Sequence, residues 1–455
     1  MNLTRLDKTF EPMILVLRQF QQEVEASKGK EPFAFSVERN EGYTYTFHLD
    51  IFSNSNQVDR NFGILERLIK SVLWVVGGYK IYLGGNKAVS QKLKDAFSHG
   101  GLRKFDVHFM ERVYERPFEV VMVDYNQVPQ TKACSIPVGG NLDGCRIGFD
   151  AGGSDRKVSA VIDGQVVYSE EVVWLPKVNS DPRYHYEGIL DSFKRAASKM
   201  PRVDAIGISS AGIYIDNRVR VASLFLKVDE KDFDRDVKDI YIRAAKEIGD
   251  VPLEAANDGD VTALAGAMEL KDNKVLGIAM GTSEAVGYIN AEGTLNGWLS
   301  ELAFVPVDFN PNSMEDEWSG DYGCGVKYFS QDSVIKLAPL AGITIDESLT
   351  PAEKLKVVQK LMANNDERAR AIFETIGEYL GYSIPYYGLF YDIKHMLILG
   401  RVTSGEAGNI IIDKAKEVLN THFKEFASIN IIIPDEENRR VGQSIAAASL
   451  PKLRK

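Results

Sequence analysis

Four short stretches of this sequence carry residue types that could act on a phosphate or an alcohol. The first is Ile147-Gly148-Phe149-Asp150-Ala151-Gly152-Gly153-Ser154, an apolar strand pattern that runs into an acidic residue, two glycines and a hydroxyl. Glycine lets backbone amides approach a phosphate closely, and successive amides form an anion-binding nest. Asp150 at the strand end suits a magnesium ion held through water, because magnesium prefers oxygen ligands. The same residues also make an ordinary Gly-Gly turn. The second stretch is Ala279-Met280-Gly281-Thr282-Ser283, again a strand ending in glycine and hydroxyls. The third is Leu397-Ile398-Leu399-Gly400-Arg401-Val402, followed by Gly405 and Gly408, a strand end that can accept a flat base. The fourth is Asn257-Asp258, ahead of the small residues Ala263, Ala265, Gly266 and Ala267. Such a pair is most often a helix N-cap. It can also act chemically: Asp258 accepts a proton from a substrate hydroxyl while Asn257 hydrogen-bonds a neighbouring one.

These residues need elements to position them. Before about Gly140, Phe10 to Val24 reads as an amphipathic helix, and Phe33–Val37 and Tyr43–Phe52 as strands joined around Asn40-Glu41-Gly42. Ile64, Leu65, Leu68, Ile69, Val72, Leu73 and Val76 recur at helical spacing. Lys80–Leu83 reads as a strand, then a helix runs to Phe97, and Phe105–Met110 and Phe118–Val123 read as two more strands. The Pro-, Gly- and Asn-rich stretch Gln127–Gly144 reads as a linker. Beyond it, strands are expected at 146–149, 158–162, 166–172, 205–209, 275–280, 287–289 and 395–399. Helices are expected at 188–199, 233–248, 263–268, 351–391 and 441–450. This mixture is an α/β class.

The 455 residues exceed one ordinary domain, and 44% hydrophobic with 26% charged residues is a normal globular composition. A formal net charge of −10 argues against a nucleic-acid partner. The densest basic cluster, Lys104, Arg112 and Arg116, is interrupted by Glu111 and Glu115 and reads as a solvated strand face. Three cysteines, Cys134, Cys145 and Cys324, with no CxxC pair, fit a reducing compartment rather than a disulfide framework. No stretch approaches the ~20 apolar residues of a membrane span. A cytoplasmic protein with no membrane partner is expected.

The order of these motifs, strand-Asp-Gly-Gly-Ser, Asn-Asp, Gly-Thr-Ser, Gly-Arg-Val, resembles the superfamily of sugar kinases, actin and chaperone ATPases. Within it, the sequence is most similar to the ROK family of sugar kinases and sugar-responsive repressors. The resemblance runs from about Arg146 to Leu450. Gly207-Ile-Ser-Ser-Ala-Gly212 looks like that family's G-x-x-x-P-G loop, with Ala211 where proline is usual, and Val441-Gly442-Gln443-Ser444-Ile445-Ala446 looks like its closing helix. The resemblance implies a two-lobed actin-like (ribonuclease H-like) ATPase fold around a deep cleft. The lobes would be 141–260 plus 437–455 and 261–436, with an extra N-terminal α/β accessory domain at 1–140. It implies ATP and Mg2+ as cofactors, with phosphates at Gly152, Gly153 and Ser154 and at Gly281, Thr282 and Ser283. Asp150 would hold magnesium, and Gly400 with Arg401 would lie on the adenosine side. Asp258 would be the catalytic base for a small-molecule sugar, with Asn257, Gly212 and Glu301 contacting that substrate. Glu301 stands where the family has the glutamate of G-E-x-G-H. A homodimer is compatible with the family.

The departures matter as much. Ala303 and Phe304 stand where the family has Gly-His, the histidine being a zinc ligand. Asp321-Tyr322-Gly323-Cys324-Gly325-Val326 supplies one cysteine where three are usual. One thiol is not a tetrahedral site, so no zinc is expected. Phe304 and Val326 replace polar sugar contacts, and Glu284 follows Gly-Thr-Ser where a small or apolar residue is usual. A carboxylate beside a triphosphate is repulsive unless it binds magnesium or points away. The leading expectation is an ATP-dependent sugar kinase; the alternative is a non-catalytic sugar or nucleotide sensor. A DNA-binding repressor is disfavoured by the acidic charge and by the strand-rich first 140 residues. Lys80 to Gly85 echoes His395 to Gly400, each after its own helix, so a truncated second lobe is an alternative to an unrelated N-terminal domain.

Overall fold

The computed structural model describes residues 3–133, 138–434 and 436–454, without the side chains of 436–441. Residues 134–137 of the expected linker, Cys134 among them, lie outside the described residues. The chain forms two compact units. Unit 1 comprises Met1–Cys134, Ile278–Val286 and Gly297–Ile433; unit 2 comprises Ser135–Gly277, Gly287–Asn296 and Pro434–Lys455. The segment expected as a domain of its own therefore shares a unit with residues 297–433.

In unit 1, α1 (Met13–Ala26) buries Met13, Ile14, Leu17, Phe20 and Val24, spaced three and four apart. β1 (Lys30–Glu38) and β2 (Thr44–Phe52) form the expected hairpin, turned by Glu41 and Gly42 in the left-handed region. α2 (Val58–Val76), β3 (Lys80–Gly84) and α3 (Lys87–Ala96) follow. Residues expected as a strand at 105–110 instead form α4 (Lys104–Tyr114). The alternation Phe105, Val107, Phe109 suggested a strand. Burial of Val107, Met110 and Val113 follows the helical spacing of three, and that pattern wins. The basic cluster around Lys104 and Arg112 is accordingly a helix face. β4 (Glu119–Val123) completes a sheet of order β2-β1-β3-β4, with β1 antiparallel to both neighbours and β4 parallel to β3.

A buried ion network ties this segment to the loop that holds Cys324. Asp321 accepts from Arg67 Nη1 and Nη2, both at 2.9 Å, from Arg103 Nη1 at 2.7 Å, and from Lys70. Glu66 pairs with Arg67 and Arg103, and the Trp74 indole donates to Asp106 at 2.5 Å. Burial alone would raise the Asp321 pKa. The charges of Lys70, Arg67 and Arg103 outweigh it and hold the carboxyl far below the usual range.

Unit 2 opens with the antiparallel strands β5 (Cys145–Ala151), β6 (Asp155–Ile162) and β7 (Gln165–Val173). α5 (Pro182–Ala197) begins earlier than expected because Asp181 caps it, accepting from Arg183 N at 3.0 Å, and Pro182 occupies the first turn. β8 (Ala205–Ser210) pairs parallel with β5. A small hairpin, β9 (Ile213–Ile215) with β10 (Arg218–Val221), precedes a broken helix: the single turn α6 (Glu230–Asp232), a π-helical turn at Phe233–Val237, and α7 (Ile240–Lys246). One continuous helix was expected there. β11 (Leu253–Asn257) pairs parallel with β8 and leads into α8 (Asp258–Leu270). The sheet order is β11-β8-β5-β6-β7. Ile147, Phe149, Ile206 and Ile208 pack on Phe193, Ile240 and Tyr241 in its core.

The chain passes between the units within β12 (Val275–Met280) and again within β13 (Glu284–Ile289). Unit 1 then adds α9 (Gln331–Leu340), α10 (Pro351–Ala363) and α11 (Glu367–Tyr387). The single helix expected over 351–391 is broken where Asn365 turns left-handed and Asp366 caps α11, accepting from Arg368 N at 2.9 Å. β14 (His395–Leu399), α12 (Glu406–His422) and β15 (Asn430–Ile432) give a sheet of order β13-β12-β14-β15. The closing helix α13 (Glu436–Ala448) belongs to unit 2, where it packs on α8 and β5. In unit 2 the first strand, β5, runs parallel to β8, whereas β1 of the N-terminal sheet is antiparallel to both neighbours. No helix among the described residues is long and apolar enough to cross a membrane.

Candidate active site

Unit 2 gathers one set of the expected residues at the ends of β5, β8 and β11. Asp150 sits on β5 opposite Ser209 of β8, whose hydroxyl donates to its Oδ1 at 2.8 Å. The following loop is held by Trp174, the residue after β7. Its indole N–H donates to the Gly152 carbonyl at 2.8 Å and its backbone N–H to the Ser154 carbonyl at 3.1 Å. Gly153 and Ser154 are exposed. Over Gly153 lies Lys177: a Cβ at that glycine would be 3.0 Å from the lysine Nζ.

Asn257 and Asp258 form the junction between β11 and α8. The capping role expected of Asn257 is real: its Oδ1 accepts from Gly259 N at 2.8 Å. Its amide nitrogen donates to the Gly212 carbonyl, also at 2.8 Å, so it joins two expected substrate contacts. Gly212 has φ +128°, and a side chain there would strike Val221 and Ala222. Asp258, half-buried in the first turn of α8, accepts from Gly259 N at 3.0 Å.

Asp150 and Asp258 lie close enough to interact electrostatically. Burial raises the Asp150 pKa to about 6; the Ser209 hydrogen bond opposes this and the charge of Asp258 adds to it. Burial also raises Asp258, against the Gly259 amide and the positive charge of Lys177. Two carboxylates and one ammonium beside a glycine loop are the elements of a site for a cation-bound polyphosphate and a proton-losing hydroxyl. Asp150 offers the oxygen ligand that magnesium needs. Sequence reading missed Lys177, Trp174 and Ser209. Ser209 was within reach, because it stands beside Asp150 in any parallel β5–β8 pairing.

Unit 1 gathers the second set. Gly281, Thr282 and Ser283 make a tight turn closed by Gly281 N to Ser283 O at 2.9 Å, and α9 docks on it through Gln331 N to Gly281 O, also at 2.9 Å. Thr282 and Ser283 are exposed. Gly400 ends β14 with φ +102°, and any Cβ there would collide with the Met280 backbone. The structure thus brings the expected phosphate turn and the expected adenosine turn side by side. Arg401 is exposed, and its carbonyl accepts from Gln359 Nε2 at 2.6 Å. The loop carrying Glu301 is hydrogen-bonded to the end of α2, through Ser300 N to Val75 O at 2.9 Å and Glu301 N to Trp74 O at 3.0 Å.

Two departures from the family pattern find a structural use here. Phe304 stacks on Trp74 with centroids 4.2 Å apart, within a group that includes Phe105 and Phe109. Glu284 is turned into the interior of unit 1, where its side chain is buried and neither oxygen has a hydrogen-bond partner among the described residues. Burial, then the charge of Glu301, raises its pKa well above the ordinary carboxylate value. Buried in the interior of unit 1, this carboxyl is not presented to a phosphate as an exposed carboxylate would be.

The fold is shared with solved structures of the ROK family. The structure matches a ROK hexokinase from Thermus thermophilus with a TM-score of 0.51 at 17% identity, over 67% of this chain and 97% of that one. It also matches a ROK-family transcriptional regulator, a homologue of the E. coli MLC protein, with a TM-score of 0.51 at 16% identity, over 71% of this chain and 82% of that one. No protein-family model and no curated protein matches the sequence.

Proposed function

We propose that this chain is a divergent ROK-family sugar kinase that transfers the γ-phosphoryl group of ATP to a hydroxyl of a sugar or sugar-like alcohol. The observation that carries the reading is the Asp150–Asp258–Lys177 grouping at the glycine loop of unit 2, with Asp258 fixed at the first turn of α8 by the Asn257 cap. Phosphoryl transfer asks a protein for positioning, charge neutralisation and a proton acceptor. Asp258 is the base: as the alcohol oxygen bonds to phosphorus and the bond to the ADP oxygen breaks, the alcohol proton passes to the Asp258 carboxylate. Burial makes that carboxylate a stronger base than a free aspartate, and the charge of Lys177 opposes part of that rise. Asn257, Gly212 and Glu301 contact the acceptor. Gly152–Ser154 and Gly281–Ser283 bind phosphate oxygens, and Gly400 and Arg401 serve the adenosine. Asp150 would hold magnesium, which supplies charge neutralisation when bound.

A panel of hexoses, amino sugars and polyols, screened by coupled ADP release, tests this. Wild type turns over at least one member, and Asp258→Asn lowers kcat by about 10²–10⁴-fold. Turnover indifferent to Asp258→Asn removes the base assignment. A second reading, a sugar sensor without catalysis, is favoured by Phe304, spent on packing against Trp74 rather than offered to a ligand. Binding of a panel sugar without any turnover would establish it.

A further inference from the structure

A second grouping of reactive side chains lies in unit 1, on α4 and the loop before it. His99 belongs to the turn between α3 and α4, which is closed by Gly101 N to Ser98 O at 3.0 Å and Arg103 N to Ala96 O at 2.8 Å. His108 and Glu111 stand three residues apart on α4, and so share one face of the helix. The turn brings His99 over that face. Its Nε2 lies 2.9 Å from Glu111 Oε1, and His108 Nδ1 lies 3.8 Å from Glu111 Oε2. The two imidazoles are 5.3 Å apart between centroids. One nitrogen from each histidine and one oxygen of Glu111 all lie within 4.8 Å of one another.

Glu111 is not free to swing away. Its Oε1 also accepts the backbone N–H of Phe118 at 2.8 Å, just ahead of β4. The histidine side chains are 58% and 59% exposed, so an ion can reach them without any opening of the fold. The donor set is two neutral imidazoles and one carboxylate. That set suits zinc and its transition-metal neighbours better than magnesium or calcium, which want all-oxygen shells. Zinc bonds of about 2.0–2.2 Å put tetrahedral ligand atoms roughly 3.3 Å apart, within the spread of spacings present here, so modest side-chain rotation suffices.

We propose that His99, His108 and Glu111 form a binding site for one divalent transition-metal ion, zinc by preference, with a fourth position open to water. The site is separate from the residues assigned to phosphoryl transfer and does not depend on that assignment. A bound ion would clip the α3–α4 turn to α4 and, through Phe118, to the start of β4.

Isothermal titration of zinc chloride into the metal-stripped full chain tests it, with magnesium chloride as the comparison cation. Wild type should bind one zinc ion per chain at micromolar affinity or tighter, with no comparable heat from magnesium. His99→Ala and His108→Ala should each weaken binding about tenfold or more, and the double variant should lose it. Both histidines are on the surface, so the metal-free variants should melt at the wild-type temperature, and zinc should raise the melting point of wild type alone. Absence of stoichiometric zinc binding overturns the proposal. So does binding that His108→Ala leaves intact, which would place the ion elsewhere.

Discussion

Replacing Glu284 by glutamine should make this protein more stable, and the gain should grow with pH. Glu284 begins β13 immediately after the Gly281–Ser283 turn, is 4% exposed, and has two carboxyl oxygens without a hydrogen-bond partner among the described residues. Its Oε2 lies over Gly325, where a Cβ would come within 2.6 Å, and it feels the charge of Glu301. Burial and Glu301 both disfavour the charged form, so the folded chain keeps a proton that the unfolded chain releases above its ordinary 4.5. The native state then binds more protons than the unfolded state. Stability is therefore greatest below the unfolded value and falls as pH rises toward the folded one. One proton changes stability by at most about 1.4 kcal/mol per pH unit. Between pH 5 and 7 glutamine should gain up to roughly 2–3 kcal/mol over glutamate. Any cost of placing the amide adds a constant offset and leaves the slope untouched. Urea unfolding at pH 5, 6, 7 and 8, followed by tryptophan fluorescence, reads this out; Trp74, Trp298 and Trp318 all lie in unit 1. A difference between variant and wild type that stays flat with pH, or shrinks as pH rises, refutes the argument and means that Glu284 ionises in place.

Two further outcomes follow from the charges described above. Asp321→Ala leaves Arg67, Lys70 and Arg103 short of a buried anion, and should cost about 3–5 kcal/mol in urea unfolding; a loss under about 1 kcal/mol would show that water reaches the network. Lys177→Ala should raise the KM for ATP about tenfold or more with the sugar KM little changed, and Lys177→Arg should restore it, because the loss is one charge-assisted contact to phosphate; an equal rise in both KM values would mean that Lys177 shapes the loop instead.

The sequence made the second half of the chain legible because its chemistry sits at strand ends. Asp150, Gly152, Asn257, Gly281 and Gly400 each follow an apolar run, and the structure puts each where β5, β11, β12 or β14 ends or turns. Glycine identities carried real constraint there: Gly212 and Gly400 have backbone angles and neighbours that admit no other residue. What failed was period and context. In Lys104–Tyr114, aromatic alternation imitates a strand, and only burial of Val107, Met110 and Val113 separates the two readings. Between Asp229 and Lys246 the apolar residues keep helical spacing, but a π-helical turn interrupts them, and spacing alone is blind to that. Lys177 was invisible for another reason. It reaches Gly153 from a single turn after β7, and no local pattern marks a lysine whose value comes from a loop 24 positions earlier.

The N-terminal segment was the least legible part, and its contacts give it a physical role. In unit 1 the end of α2 hydrogen-bonds the backbone of Ser300 and Glu301, Trp74 stacks on Phe304, and Arg67 with Lys70 grips Asp321. These contacts fall on Phe304 and on the loop that carries Asp321 and Cys324. A metal would organise such loops by direct bonds from several ligands. Here three cations from α2 and the α3–α4 region converge on one aspartate, and an aromatic stack does the rest. The loop carrying Glu301 is thus ordered by residues 66–109, so the departures and the N-terminal segment are two sides of one arrangement.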